Sequence, residues 1–220
     1  MIDLHHSPGT ASMAPHFLLL ELGLQHRLVP VDPAQLGHKT ADYLRLNPNG
    51  LIPAMVHRGL EGGDLVLYES AAICLYLADL QPQAGLMPAV GTRERALATQ
   101  WLVWLTNTLQ ATLIHYFYPE RMVNAGDAAA AAQVKAAAEA RVGSLLPQLQ
   151  AQCTGHGQPW LLGARFSLVD LYAFMLCRWT RNFGQPARSV PGLDAWLQRV
   201  MARPAVQQGF AIEGLALPWV

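Results

Sequence analysis

The chain has 220 residues, of which 52% are hydrophobic, with 15 basic and 15 acidic side chains and a formal net charge of zero. This length fits one large domain or two modest ones. The charge balance excludes a broad basic surface for nucleic acid or an anionic membrane, and no apolar run approaches the ~20 residues of a membrane span. Three scattered cysteines argue against a disulfide framework and a cysteine zinc site. Without a secretion signal at the N-terminus, we expect a cytoplasmic protein.

The first third of the chain alternates strand and helix patterns. Ser12 precedes an apolar helical stretch and is predicted to be its N-cap. Strand alternation puts His5 and His6 on opposite faces, with no carboxylate or cysteine at ligand spacing, so we expect no metal. The predicted elements are strands at 1–6 and 28–31, a helix from Met13 to about Gly23, a second helix over 70–80, and a hairpin formed by 54–57 and 65–68.

An Asn-Pro-Asn-Gly turn at residues 47–50 leads to Ile52-Pro53 at the entrance of a strand. A proline there is the usual place for a cis peptide, which would turn the Ile52 N–H and C=O outward towards a peptide-like ligand. Glu69 and Ser70 follow where a strand meets a helix, and the free N–H groups of a helix start hold a carboxylate well. An ordinary turn, strand and helix cap is the alternative interpretation.

The second half of the chain is predicted to be helical after a linker rich in proline and glycine at 82–91. A long helix is expected over 92–118. An alanine-rich helix follows Asp127, with a bend or break expected near Ser144 because of the nearby glycine and proline. Ser167 and Asp170 form a capping-box pattern at the start of a helix that is apolar nearly all round, which indicates burial.

These features resemble the cytosolic glutathione S-transferases, and residues 7–16 (SPGTASMAPH) are similar to the start of the bacterial beta-class members. The likeness extends from Met1 to about Gly214. It implies a thioredoxin-like α/β domain over 1–81 and an all-α domain over 92–220 that contributes the electrophile pocket. It also implies glutathione as co-substrate without a metal, a small hydrophobic electrophile, a homodimer and a role in detoxification, with no nucleic-acid or membrane partner.

The resemblance assigns glutathione binding to Ile52, Pro53, Glu69 and Ser70. In the family, the residue before the cis-proline pairs with the cysteinyl backbone, and the acid-serine pair holds the γ-glutamyl end. The polar segment 32–46 is similar to the loop that reaches the glycine carboxylate. Within that segment Lys39 or His38 could form the ion pair, and an exposed surface lysine is the alternative for Lys39.

One departure from the beta class concerns the thiol. That class has a cysteine where this chain has Ala11, so disulfide exchange through this position is excluded. Lowering a thiol pKa from ~8.5 to about 6.5 needs roughly 2.7 kcal/mol. One hydroxyl donor supplies roughly 1.5–3 kcal/mol and a helix N-terminus roughly 0.3–1 kcal/mol. Ser12 is the first choice for this donor and Thr10 the second; the alternative for Ser12 is a helix cap.

Further departures fall on the long helix. The beta-class pattern places Val103 where that class has a glutathione-contacting asparagine, and Gln110 where it has a catalytic histidine. Core packing is the alternative for the aromatic side chains nearby. The predicted electrophile pocket consists of Met13, Asn107, Gln110, Tyr116 and Trp179.

The sequence therefore predicts an enzyme that joins the glutathione thiolate to a soft electrophile, with a hydroxyl rather than a cysteine at the sulfur. The departures at Ala11, Val103 and Gln110 leave a second class open, a non-catalytic glutathione-binding sensor or scaffold. A glutathione-dependent isomerase or dehalogenase would share the glutathione site and differ in the second pocket.

Overall fold

The computed structural model describes residues 1–217 and 220. Its contacts divide the chain into two compact units, Met1–Met87 with Met201–Ala216, and Pro88–Val200 with Leu217–Val220. In chain order the helices and strands are β1 (Ile2–His6), α1 (Met13–Glu21), β2 (His26–Pro30), α2 (Ala41–Leu46), β3 (Ala54–Leu60), β4 (Gly63–Tyr68), α3 (Ser70–Leu80), α4 (Arg93–Trp104), α5 (Ala111–Phe117), α6 (Ala128–Thr154), α7 (Leu168–Trp179), α8 (Leu193–Met201) and α9 (Pro204–Ile212).

The first unit contains a four-stranded sheet in the order β2-β1-β3-β4. Strand β1 runs parallel to β2 and antiparallel to β3, and β3 forms the predicted hairpin with β4. Parallel β1 and β2 require a crossover connection, which α1 provides. This is the thioredoxin-like arrangement expected for the N-terminal half, and helix α3 has the predicted bounds.

Alternation along β1 gives the sheet two different faces. Leu4 is fully buried, and His6 lies on the same side as His16 of α1, with the two ring centroids 6.1 Å apart. On the opposite face, His5 meets the ring of Tyr43 in α2 edge-on at 6.0 Å. Helices α1 and α2 therefore pack on opposite faces of the sheet.

The C-terminal helix α9 packs on α1. The rings of Phe17 and Phe210 meet edge-on at 5.3 Å, and Arg203 binds the Glu21 carboxylate through two hydrogen bonds of 2.6 and 2.7 Å. A Cβ atom on Gly209 would lie 2.2 Å from the Phe17 ring, so a glycine permits this close crossing. Residues 201–216 thus belong to the first unit, whereas the helical domain predicted from the sequence, 92–220, includes them.

The second unit consists mainly of helices α4 to α8, as the sequence predicts. The capping box at the start of α7 is confirmed, because Asp170 Oδ2 accepts hydrogen bonds from the backbone N–H and the hydroxyl of Ser167, each at 3.0 Å. Asp170 Oδ1 accepts from Trp196 Nε1 at 3.0 Å and from the Leu161 N–H at 2.8 Å. The buried carboxylate therefore joins α7 to α8 and to the preceding loop.

Two predicted features of the helical unit differ from the structure. Helix α6 continues without a break from Ala128–Thr154, with Pro147 inside it, and Ser144 Oγ donates to the Arg141 carbonyl. The predicted long helix is divided by a π-helical turn at Leu105–Gln110. Because a π turn adds a residue to the helical repeat, side chains on either side of it no longer share the faces of one regular helix. Within residues 1–217 and 220, no helix has the length and apolar character needed to cross a membrane.

Candidate glutathione site

The first part of the site is the turn before β3. Ile52-Pro53 is a cis peptide, as predicted. The turn that precedes it is held by Asn47, whose Nδ2 donates to the Leu51 carbonyl at 2.7 Å, and by Lys39, whose Nζ donates to the Gly50 carbonyl at 2.9 Å. Within the described residues, neither the N–H nor the C=O of Ile52 makes a hydrogen bond. Its backbone is therefore open to a partner in extended conformation.

The second part is the junction between β4 and α3. Hydrogen bonding within α3 begins with the Ile73 N–H donating to the Glu69 carbonyl at 3.0 Å, so the N–H groups of residues 70–72 have no acceptor inside the helix. Glu69 is exposed and has φ of 70° and ψ of 114°, an unfavourable conformation for a side chain with a Cβ atom. Such strain persists where the surrounding structure holds it in place, often at ligand sites.

Ser70 links this junction to the start of α1. Its hydroxyl donates to the carbonyl of Ala11 at 2.8 Å, and the residue is 4% exposed. Ala11, which stands where the beta class has its cysteine, therefore accepts a hydrogen bond through its backbone carbonyl from the first residue of α3. This hydrogen bond between side chain and backbone connects the two ends of the candidate site.

The third part is the loop of residues 7–12, which contains both predicted thiol donors. Ser12 stands at the N-cap position of α1, but its hydroxyl does not cap the helix, which corrects the prediction. Instead, Ser12 Oγ donates to the Ser7 carbonyl at 2.9 Å and accepts from the Ser7 N–H at 3.2 Å. Thr10 Oγ1 donates to the same carbonyl at 2.7 Å. Ser12 is completely buried, whereas Thr10 is half-buried.

A carboxylate that the sequence analysis missed supports this loop. Glu213, just beyond α9, accepts hydrogen bonds from the Gly9 N–H and pairs with His16 Nδ1, both at 2.7 Å, and its side chain is fully buried. Burial lowers the pKa of the neighbouring His6; His16 lowers it further, and the Glu213 charge raises it. The contact spans 204 residues, so no local pattern indicates it.

The Lys39 ammonium group, which we predicted to bind the glycine carboxylate of glutathione, already donates hydrogen bonds within the protein. Lys39 is exposed, and beside its bond to Gly50 its Nζ lies 3.4 Å from the Asn49 carbonyl. An ammonium has three donors, so one remains available to a carboxylate. The neighbouring His38 is half-buried in the short 3₁₀ turn Gly37–Lys39. Lys39 thus holds the turn that precedes the cis-proline.

Comparison with known proteins agrees with this geometry. The family model described as "Glutathione S-transferase, N-terminal domain" matches residues 11–80, and the model described as "Glutathione S-transferase, C-terminal domain" matches residues 105–204. A glutathione S-transferase from Xanthomonas campestris is 31% identical over 97% of this chain and 100% of its own length. The chain belongs to the glutathione S-transferase family.

Solved structures of this family extend the agreement. A sphingomonad glutathione S-transferase complexed with glutathione has 32% identity and a TM-score of 0.80, over 97% of this chain and 100% of the other. A bacterial beta-class enzyme from Sphingomonas chungbukensis has the same identity and coverage, with a TM-score of 0.81. The predicted family, its beta-class-like character, its enzymatic nature and glutathione as co-substrate are thereby confirmed.

The side chains predicted for the electrophile pocket fall in both units. Met13 belongs to the first unit and is fully buried, and its place in the pocket stays a prediction. In the second unit, Asn107 is exposed on the π turn and accepts a hydrogen bond from Thr106 Oγ1 at 3.2 Å. Gln110 is half-buried at the end of that turn and accepts a hydrogen bond from Tyr172.

The two predicted aromatic residues belong to one cluster. Tyr116 stacks on Phe183 with centroids 4.1 Å apart and meets Phe117 edge-on at 5.2 Å. Phe117 in turn meets Trp179 edge-on at 6.0 Å. Trp179 is 8% exposed, and its Nε1 has no hydrogen-bond partner among the described residues. The aromatic cluster consists of Tyr116, Phe117, Trp179 and Phe183.

Proposed function

We propose that this glutathione S-transferase joins the glutathione sulfur to a soft electrophilic small molecule. The observation that carries the proposal is the open backbone of Ile52 before cis Pro53, beside the open N–H groups at the start of α3. An extended peptide can pair with the Ile52 backbone and present its terminal carboxylate to the N–H groups at the start of α3. Glutathione has both groups.

Ile52 pairs with the cysteinyl backbone, while Glu69 and Ser70 hold the γ-glutamyl end. The exposed Glu69 carboxylate attracts the γ-glutamyl ammonium group, and the backbone N–H of Ser70 donates to its carboxylate. Lys39 uses its remaining donor for the glycine carboxylate, with His38 as the neighbouring alternative. These roles support binding of the intact tripeptide rather than of the thiol alone.

A hydroxyl of the loop 7–12 stabilises the thiolate, with Ser12 as first choice and Thr10 as second. Each hydroxyl has one proton and gives it to the Ser7 carbonyl in the absence of ligand. A thiolate is a stronger acceptor than a neutral carbonyl, so rotation of one hydroxyl towards sulfur replaces one bond by a charge-assisted one. Thr10 is half-buried, whereas Ser12 is completely buried.

The reaction is a nucleophilic attack in which the carbon–sulfur bond forms and the electrophile releases its leaving group or moves a π-electron pair onto an acceptor atom. The helical unit contributes the electrophile pocket, for which its aromatic cluster supplies apolar surface. The enzyme acts as a homodimer in the cytoplasm. Val66 and Tyr68, which are 38% and 39% exposed on the edge strand β4, support a dimer surface in the first unit.

The test combines glutathione titration calorimetry with conjugation of a model aryl halide. Wild type should bind glutathione and turn over the halide. Ser12→Ala or Thr10→Val, whichever removes the thiolate donor, should lower kcat/KM by about 10- to 100-fold while changing the dissociation constant less than about threefold. Ser144→Ala, which removes an exposed hydroxyl from α6, is the matched control.

The same experiment separates the alternatives. Tight glutathione binding without turnover of several electrophiles would favour the sensor or scaffold and contradict the transferase. Halide release or double-bond isomerisation without a stable glutathione adduct would favour a dehalogenase or isomerase. Failure to bind glutathione would overturn the site itself.

A further inference from the structure

A cavity of about 250 Å³ lies on the α2 face of the sheet and belongs wholly to the first unit. Its lining includes His5 of β1, Val31 and Asp32 just after β2, and Asp42 and Tyr43 of α2. Val31 and Tyr43 are buried, whereas the two aspartates are exposed. An apolar interior therefore lies beneath an acidic rim, and none of the lining residues belongs to the candidate glutathione site.

The charged groups at the rim favour a cation. Asp32 Oδ1 accepts a hydrogen bond from the Ala34 N–H at 2.8 Å, and Asp42 Oδ1 pairs with Arg45. In the described part of the chain, the second oxygen of each carboxylate accepts no hydrogen bond, and the exposed Asp42–Arg45 pair is a weak one. Burial lowers the pKa of His5, so its imidazole is neutral near pH 7 and does not repel a cation.

The interior of the cavity favours an aromatic body on that cation. The Tyr43 ring is 4% exposed and meets the His5 ring edge-on at 6.0 Å, and Val31 adds aliphatic surface. Aromatic faces attract both other rings and ammonium groups. A volume of about 250 Å³ is at the small end for ligand sites, so it suits one ring with a short amino side chain.

Tyr43 also connects this cavity to the turn before the cis-proline. Its hydroxyl donates to the Leu51 carbonyl at 2.7 Å, and burial raises the pKa of Tyr43, which keeps the phenol protonated as a donor. Tyr43, Val31 and Ala54 form one buried cluster, against which Ile52 packs. A ligand that contacts Tyr43 from the cavity therefore acts on the residues that present the Ile52 backbone.

We propose that this cavity binds a small aromatic ammonium compound and that its occupation strengthens glutathione binding. The inference rests on the proposed pairing of glutathione with Ile52 and does not depend on the transfer reaction. Ordering of the Tyr43 cluster by one ligand reduces what the other must order, and such coupling is reciprocal. Glutathione should therefore strengthen binding of the amine by the same factor.

The test uses phenethylammonium as the probe in titration calorimetry of the full-length protein, with and without saturating glutathione. We expect a dissociation constant below about 1 mM, and a roughly 3- to 10-fold tighter value with glutathione present. The neutral isostere 2-phenylethanol should bind at least about threefold more weakly, because it lacks the charge that the aspartates attract. Glutathione titrated in the presence of the amine measures the reciprocal effect.

Three variants locate the probe in the cavity. Asp32→Asn and Asp42→Asn keep the shape of the rim, and each should weaken amine binding about 3- to 10-fold while glutathione alone binds as in wild type. Glu61→Gln makes the same loss of charge on the exposed β3–β4 hairpin and should change neither affinity.

A variant of Tyr43 tests the coupling separately. Tyr43→Phe keeps the ring and removes the hydrogen bond to Leu51, so the amine should bind within about threefold of wild type and lose its effect on glutathione.

The outcomes separate this inference from the proposed function. An amine that competes with glutathione lies in the glutathione site beside Glu69, and this result would overturn the inference. Absent binding, equal binding of the alcohol, or unchanged amine affinity in both aspartate variants would overturn it as well. Amine binding that leaves glutathione affinity unchanged would refute the coupling. Failure to bind glutathione at all would instead overturn the proposed function, and the amine titration without glutathione still decides whether the cavity is a site.

Discussion

The two ends of the candidate glutathione site differ in how their polar groups are used. At the peptide end, the Ile52 backbone and the first N–H groups of α3 have no acceptor or donor in the described chain. At the thiol end, the hydroxyls of Thr10 and Ser12 are both bonded to Ser7, and the Gly9 N–H is bonded to Glu213. The peptide end has unpaired backbone groups for a ligand, whereas the polar groups of the thiol end already have hydrogen-bond partners in the protein.

This difference indicates how the two ends are stabilised. The peptide end depends mainly on two local features of the chain, the turn before Ile52 and the junction between β4 and α3, to which the Ser70 hydroxyl adds one hydrogen bond to Ala11. The thiol end depends on a side chain 204 residues away and on the crossing of α9 over α1. Substitutions that remove the distant support should therefore damage the thiol end through stability, while substitutions at the peptide end should act mainly on binding.

The largest effect is expected from Glu213→Ala. The substitution leaves the Gly9 N–H and the fully buried His16 without their partner, which should lower the free energy of unfolding by about 3 kcal/mol. Urea denaturation measures this change. Glu61→Ala, at an exposed position of the β3–β4 hairpin, is the matched control and should change stability by less than about 0.5 kcal/mol. A loss below 1 kcal/mol for Glu213→Ala would mean that the loop supports itself.

The next effect compares one serine from each end. Ser12→Ala removes the acceptor of the buried Ser7 N–H as well as a donor, so we expect a loss of about 2 kcal/mol in the free energy of unfolding. Ser70→Ala removes only the donor to the Ala11 carbonyl and should cost about 1 kcal/mol. Both variants are compared by urea denaturation at the same pH. The reverse order would contradict the distinction between the two ends.

A smaller effect is expected from the backbone of Glu69. Glu69→Gly and Glu69→Ala both remove the carboxylate and should both weaken glutathione binding in calorimetry. Glycine adopts a positive φ without the Cβ penalty, so Glu69→Gly should be about 1 kcal/mol more stable than Glu69→Ala. Equal stability of the two variants would show that this conformation carries no strain.

The smallest effect concerns pH. Burial lowers the pKa of His6 and of His5 in the folded protein. Below the ordinary histidine pKa of about 6.5, the unfolded chain therefore binds more protons than the folded protein does. The free energy of unfolding should therefore fall as the pH drops from about 6.5 towards the lower folded values, by less than about 1.4 kcal/mol per pH unit for each histidine. His6→Leu should reduce this slope, and His5 keeps part of it. An unchanged slope in denaturation series at several pH values would argue against a buried neutral His6.

The features that the sequence determined are those set by neighbouring residues. A proline at a strand entrance, a helix beginning at Ser70 and the capping box of Ser167 and Asp170 all depend on contacts within a few positions. Their physical causes are the missing N–H of proline, the free N–H groups at a helix start and a carboxylate that reaches back across one turn. Because these causes act between residues a few positions apart, the amino-acid sequence alone reveals them.

Tertiary structure alone decided what distant groups do to one another. The Ser12 hydroxyl bonds to Ser7 rather than capping α1, because the loop folds back and brings that backbone within 3.2 Å. Glu213 supports the same loop only because α9 crosses α1 at a glycine. Gln110 has a fixed amide because a buried tyrosine from α7 meets it. Such hydrogen bonds need a donor and an acceptor about 3 Å apart in space, however far apart the two residues are in the sequence, so the order of residues does not reveal them.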